Sequence, residues 1–73
     1  MKTKMQKYLS RSEFEPVLTA SATNEIGSIF TMNTHVKSSI LEIDDQEIES
    51  LIRDKILITL GDIKSLQWNI KQN

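Results

Sequence analysis

Residues 43–48, which read Ile-Asp-Asp-Gln-Glu-Ile, contain the strongest local folding signal in this chain. Asp44 is a favourable N-cap residue, and Glu47, three positions later, completes an acidic capping box. Ile43 and Ile48 flank the box with the spacing of a hydrophobic staple. The stretch therefore predicts an α-helix that begins just after Asp44, with acidic side chains in its first turns, where the helix dipole favours them.

Downstream, an apolar stripe at helical spacing continues the same helix. Its members are Ile48, Leu51, Ile52, Ile56 and Leu60. The end of the helix is ambiguous. In the preferred interpretation, Gly61 is the C′ residue and Asp62 caps a second helix. The second helix would place three apolar residues on one side: Ile63, Leu66 and Ile70.

An alternative interpretation places a β-hairpin after a shorter helix at 45–54. Residues 55–60 are rich in β-branched side chains, and Gly61 with Asp62 has the composition of a two-residue turn. Leu66, Trp68 and Ile70 then alternate as they would along a strand. Periodicity does not separate helix from strand in such short apolar runs, so both interpretations stay open.

Upstream of the helix, two stretches have the composition of strands. Residues 17–23 are rich in small and β-branched side chains, and residues 28–36 alternate in polarity. One face of the second stretch is apolar apart from a single threonine: Phe30, Met32, Thr34 and Val36. The break at 24–27 predicts an antiparallel hairpin. The expected fold class is therefore α+β, an N-terminal β-hairpin followed by a C-terminal helical segment.

Residues 1–12 are expected to form a basic N-terminal arm, and residues 13–73 a single small domain. The arm carries four basic residues and no acidic one up to position 11, namely Lys2, Lys4, Lys7 and Arg11. Met5, Tyr8 and Leu9 lie on one helical face of the arm. Two capping boxes, Ser10 with Glu13 and Ser12 with Glu15, precede Pro16, but Pro16 disfavours helix at Glu15, so neither box can open a long helix.

The amino-acid composition excludes disulfide bonds and several kinds of metal and catalytic site. The chain has no cysteine and one histidine, so it forms no disulfide and no thiolate metal site, and no cofactor or metal is expected. His35 has no recognisable nucleophile or carboxylate partner in its sequence context, and the chain has no glycine-rich phosphate loop. The prediction is a protein without enzymatic activity.

Charge and hydropathy set the expected environment. The net charge is −1, with acidic residues concentrated in 42–54. No apolar run is long enough to cross a bilayer, and residues 1–10 lack the apolar segment of a secretory signal. We expect a soluble protein that has no membrane partner and lies in the cytoplasm or within a virion.

Two functional hypotheses follow from the sequence. The first is a protein-binding, oligomeric accessory or inhibitory subunit of a larger assembly, of the kind that phages and mobile elements encode. Its expected contact residues are Met5 and Tyr8 in the arm, and Leu57 and Trp68, which lie off the main stripe if residues 45–70 are helical. The alternative is a small nucleic-acid-binding regulator.

The nucleic-acid hypothesis depends on the basic arm. Lys2, Lys4, Lys7 and Arg11 would contact phosphates, with an affinity that falls steeply as salt is added. The near-neutral net charge does not resemble that of a dedicated nucleic-acid binder. A protein partner or a homo-oligomer is therefore the main expectation, and nucleic acid the second.

Overall fold

A computed structural model describes residues 4–72 as a three-stranded antiparallel sheet covered on one face by an α-helix. The strands are β1 (Val17–Asn24), β2 (Ile29–His35) and β3 (Ile63–Lys71), and the helix is α1 (Asp45–Leu60). Two short 3-10 helices, Lys4–Tyr8 and Ser38–Glu42, precede β1 and α1. This arrangement confirms the α+β class, the N-terminal hairpin and the helix start.

The strand order is β2-β1-β3, so β1 is central and both neighbours are edge strands. β1 and β2 pair as the expected hairpin, with Ala20 opposite Met32. β3 pairs antiparallel with the other side of β1, with Ala20 opposite Trp68. Because α1 lies between β2 and β3 in the sequence, the third strand of the sheet pairs with β1 only after the helix has crossed one face of the hairpin.

The two faces of the sheet differ in chemistry because strand side chains alternate. The face toward α1 carries buried or half-buried apolar residues from all three strands: Leu18, Ala20, Ala22, Phe30, Met32, Leu66, Trp68 and Ile70. The opposite face carries polar, uncharged residues at its centre: Thr19, Ser21, Thr31, Asn33, Gln67 and Asn69. Alanine on central β1 lets the larger side chains of the edge strands and the helix approach one another.

The start of α1 has the predicted N-cap residue. The Asp44 side chain accepts a hydrogen bond from the Glu47 backbone N–H at 2.9 Å. Ile48 is buried against the sheet, and Ile43 packs at the edge of the same core. The helix ends at Gly61, whose positive φ of 79° suits glycine and whose N–H donates to the Leu57 carbonyl.

Beyond Gly61, the second helix expected in the preferred interpretation is wrong, because these residues form β3. The alternative hairpin is wrong in its first half, since residues 55–60 belong to α1. Ile56 is fully buried, so tertiary packing keeps this β-branched segment helical. Leu66, Trp68 and Ile70 do alternate as strand residues, but they pair with β1 rather than with residues 55–60.

The described part of the arm belongs to the fold. Met5 is completely buried, and the 3-10 helix Lys4–Tyr8 packs against α1. The chain's own core encloses the Met5 side chain, which was expected to contact a partner, so the folded chain does not expose it. Three backbone or bridge contacts join Tyr8, Leu9 and Ser10 to residues 35–37, and these hold the arm in place.

Candidate interaction surfaces

One end of the molecule exposes four large aliphatic side chains, which we call the apolar end. Ile26 is 86% exposed in the turn between β1 and β2, and Ile29 is 69% exposed at the start of β2. Leu57 and Ile58, in the last turn of α1, are 52% and 63% exposed. Leu57 and Ile58 are adjacent on α1, whereas the Ile29 side chain lies on the polar face of the sheet, away from the helix. Exposed apolar residues are ordinary on a protein surface when they stand singly, and contiguous ones are typical of interaction sites.

Asn24 joins the two segments that form the apolar end. Its Oδ1 accepts hydrogen bonds from the Ile26 and Ser28 backbone N–H groups at 3.2 and 2.9 Å. Its Nδ2 donates to the Leu60 carbonyl, the last of α1, at 3.4 Å. The hairpin turn is therefore held beside the end of the helix, and the exposed isoleucine side chains lie on an ordered framework.

The two edges of the sheet differ in how much of each the chain covers. On the outer side of β2, the Ser10 N–H donates to the His35 carbonyl at 3.0 Å, and the Lys37 N–H donates to the Tyr8 carbonyl at 2.7 Å. The arm thus covers the end of β2. Within residues 4–72, no other segment makes a backbone hydrogen bond to the outer edge of β3.

The register determines which β3 backbone groups point outward. Val36 donates to the Pro16 carbonyl and Asn24 to that of Ser28, so the even-numbered residues of β1 are bonded to β2. Because ladder bonds alternate along an antiparallel strand, the odd-numbered residues of β1 are bonded to β3. Their β3 partners are the odd-numbered residues 65–71. The N–H and C=O groups of Leu66, Trp68 and Ile70 therefore face away from the sheet.

The polar face of the sheet forms a shallow, open groove of about 650 Å³. Its floor is the short side chains of Thr19 and Ser21 on β1, and the longer side chains of Gln67 and Asn69 form one wall. All of these groups are neutral. The groove can donate and accept hydrogen bonds, but it has no charge with which to attract an ion.

Of the four residues expected to contact a partner, one is well exposed. Leu57 lies on the outer side of α1 and borders a groove of about 490 Å³ beside Ile63. Tyr8 and Trp68 are half-buried against the core, and Met5 is buried. The proposed common helical surface for Leu57 and Trp68 does not form, because Trp68 lies on a strand.

The basic residues expected to bind phosphates are exposed where the structure describes them. These are Lys4, Lys7 and Arg11, whereas Lys2 lies outside the described residues. The Lys7 Nζ lies 5.2 Å from the centroid of the Tyr8 ring, a cation–π distance. One face of the Tyr8 ring therefore contacts the Lys7 ammonium group, and another part of the Tyr8 side chain packs against the core.

Sequence reasoning did not select Ile26, Ile29 or Ile58 as contact residues. A signal for Ile26 is present, because it stands in the Asn-Glu-Ile-Gly turn, where no core position exists. Ile58 lies off the buried stripe of α1. Ile29 lies out of phase with the apolar face of residues 28–36, so its exposure agrees with the alternation of that strand.

His35 has a structural partner in the fold. Its Nδ1 lies 2.9 Å from the Glu15 carbonyl, and the Glu15 carboxylate accepts a hydrogen bond from the Ser38 N–H at 2.8 Å. These contacts tie the segment before β1 to the segment after β2. Among residues 4–72 there is no group of three or more histidine and acidic side chains placed to hold a metal ion.

No helix in the described part of the chain is both long and apolar enough to cross a membrane. Comparison of the chain with protein-family models, with curated protein sequences and with solved structures found no match.

Proposed function

We propose that this chain is a non-enzymatic protein-interaction module, which acts as an oligomer or as a small accessory or inhibitory subunit of a larger assembly. The observation that carries the proposal is the apolar end, where Ile26, Ile29, Leu57 and Ile58 expose more than half of their surface. Burial of these side chains by a partner would remove apolar area from water, which is the main favourable term in protein association.

Two further features support an interaction role. The Asn24 hydrogen bonds fix the hairpin turn against the end of α1, so a partner would meet an ordered surface and little conformational entropy would be lost on binding. The acidic Asp54 and Asp62 and the basic Arg53 border the groove beside Leu57. A polar border around an apolar centre is the usual composition of a protein interface.

Site-specific photo-cross-linking in the cells that naturally make the protein tests this proposal. A benzophenone amino acid would replace Leu57 or Ile58, and Gln46, exposed at the other end of the same helix, gives the matched control. We expect covalent products from positions 57 and 58 and none from position 46. A product of twice the chain mass indicates a second copy, and a product of another mass indicates a different protein.

A different cross-linking pattern would contradict the proposal. If positions 57 and 58 give no product, or give the same products as position 46, the apolar end is not an interaction site. A far-ultraviolet circular dichroism spectrum of each variant verifies that the benzophenone side chain has left the secondary structure intact.

A further inference from the structure

We propose that a second copy of this chain pairs its β3 antiparallel with β3, so that the two Trp68 residues lie opposite each other on a two-fold axis. The result is a continuous six-stranded sheet. This inference rests on the proposed function in one respect, because it names a partner for an interaction module, and it uses a different surface from the apolar end.

The first support is the direction of the backbone groups. The two residues on the two-fold axis of an antiparallel strand pair bond directly to each other only if each directs its own N–H and C=O toward its copy. Trp68 meets this requirement, since the odd-numbered residues of β3 are bonded to β1. Pairing about Trp68 also places Leu66 opposite Ile70 of the second copy, and both of these residues direct their backbone groups outward.

The second support is the order of side chains along β3. The sequence Leu-Gln-Trp-Asn-Ile, residues 66–70, has the same chemistry read in either direction from Trp68. On the helix side of the sheet, leucine would meet isoleucine and tryptophan would meet tryptophan. On the polar side, Gln67 would meet Asn69 of the second copy, and Lys71 would meet Ser65. A two-fold interface requires this kind of self-complementarity.

Other pairings fit less well. Moving the axis to Gln67 would place Ile70 opposite Lys64 and Lys71 opposite Ile63 of the second copy. On β2, an axis at Thr31 would place Ile29 opposite Asn33, and the arm covers the end of that strand. The segment 66–70 also lacks the devices that block edge strands, since it contains no proline, no charge and no glycine.

The helix layer leaves space for the side chains of a second β3. A groove of about 370 Å³ opens between residues 41–48 and the end of β3, and Trp68 and Ile70 line it. In the proposed pairing, Leu66 of the second copy lies opposite Ile70 and would enter this groove. Half-buried Trp68 and Ile70 would then become fully buried.

Charge placed on the polar face tests the pairing without disturbing the core. Gln67 and Asn69 are exposed, and each would face the other residue type across the axis. In Gln67→Lys/Asn69→Lys, lysine meets lysine twice. In Gln67→Glu/Asn69→Lys, glutamate meets lysine twice. The two variants differ only at position 67, and the second is attractive only if the axis passes through Trp68.

Light scattering on a size-exclusion column, over about a hundredfold range of concentration, gives the readout. We expect the natural chain to have twice the monomer mass at the upper end of the range. The dimer dissociation constant of the double-lysine variant should be roughly tenfold higher than that of the natural chain, because like charges directly opposite are destabilising in a sheet. The glutamate–lysine variant should dimerise at least as well as the natural chain.

Four results would overturn the β3 pairing. A natural chain that stays monomeric, or two variants that dimerise equally, would show that β3 is not the interface. Equal weakening of both variants would place the axis elsewhere, and open-ended assemblies would indicate pairing of β2 with β3. A monomer that still cross-links through Leu57 loses the β3 pairing but keeps the proposed function. A dimer without such cross-links keeps the β3 pairing and removes the apolar end as an interaction site.

Discussion

At the scale of single residues, Met5 shows how an N-terminal segment becomes part of the core. Its side chain is fully buried although it belongs to a short 3-10 helix near the beginning of the chain. Met5→Ala removes buried methylene groups and the thioether and leaves a cavity, so we expect a loss of about 2–5 kcal/mol of unfolding free energy. Urea unfolding followed by circular dichroism measures this loss.

The neighbouring Gln6 provides the control for Met5, because it is exposed on the same short helix. Gln6→Ala should change stability by no more than about 0.5 kcal/mol. Equal stability of the two variants would mean that the arm does not pack on α1 in solution.

At the scale of elements, the N-terminus of α1 depends on one side chain. The Asp44 carboxylate accepts the Glu47 N–H, which has no partner within the helix. We expect Asp44→Ala to cost about 1 kcal/mol of unfolding free energy and Asp44→Asn to cost much less, because asparagine also accepts this bond. Thermal or urea unfolding of the two variants decides the point. If both lose the same stability, the charge and not the cap is responsible.

The elements also show what could be predicted from the sequence. The start of α1 was predictable because its signals are local, namely a cap and a staple within residues 43–48. The hairpin was predictable because two alternating stretches flank a short turn. The course of residues 62–70 was not, because Leu66 and Ile70 fit a helix and a strand equally well. Their state depends on the second edge of β1, which is distant in sequence.

The contact surfaces were harder to predict than the fold for a related reason. Trp68 and Leu57 were grouped because both lie off one helical stripe, but that stripe ends at Gly61. The apolar end unites residues from the hairpin turn and the last turn of α1, some 30 positions apart, and Asn24 joins them. Such a surface exists only after the sheet has formed, so no local pattern in the sequence describes it.

At the scale of the whole molecule, stability and assembly are coupled if β3 pairs between copies. A small domain has a modest core, so a second source of burial contributes a large share of its stability. Anything that binds the folded state alone raises the apparent stability by mass action. We therefore expect the urea midpoint of the natural chain to rise with protein concentration. For a hundredfold increase in protein concentration, the apparent free energy of unfolding can rise by at most about 2.7 kcal/mol per dimer, if the dimer unfolds directly to separate chains.

Trp68 provides the optical probe for this effect, because it is the only tryptophan and lies on the proposed axis. Its fluorescence and the far-ultraviolet circular dichroism should change together at high concentration. The urea midpoint of Gln67→Lys/Asn69→Lys should depend less on protein concentration than that of the natural chain. At concentrations low enough for both chains to be monomeric, the two midpoints should converge. A concentration-independent midpoint for the natural chain would mean that the core of Leu18, Ile52 and Ile56, with Met5 closing one end, is sufficient for a single copy.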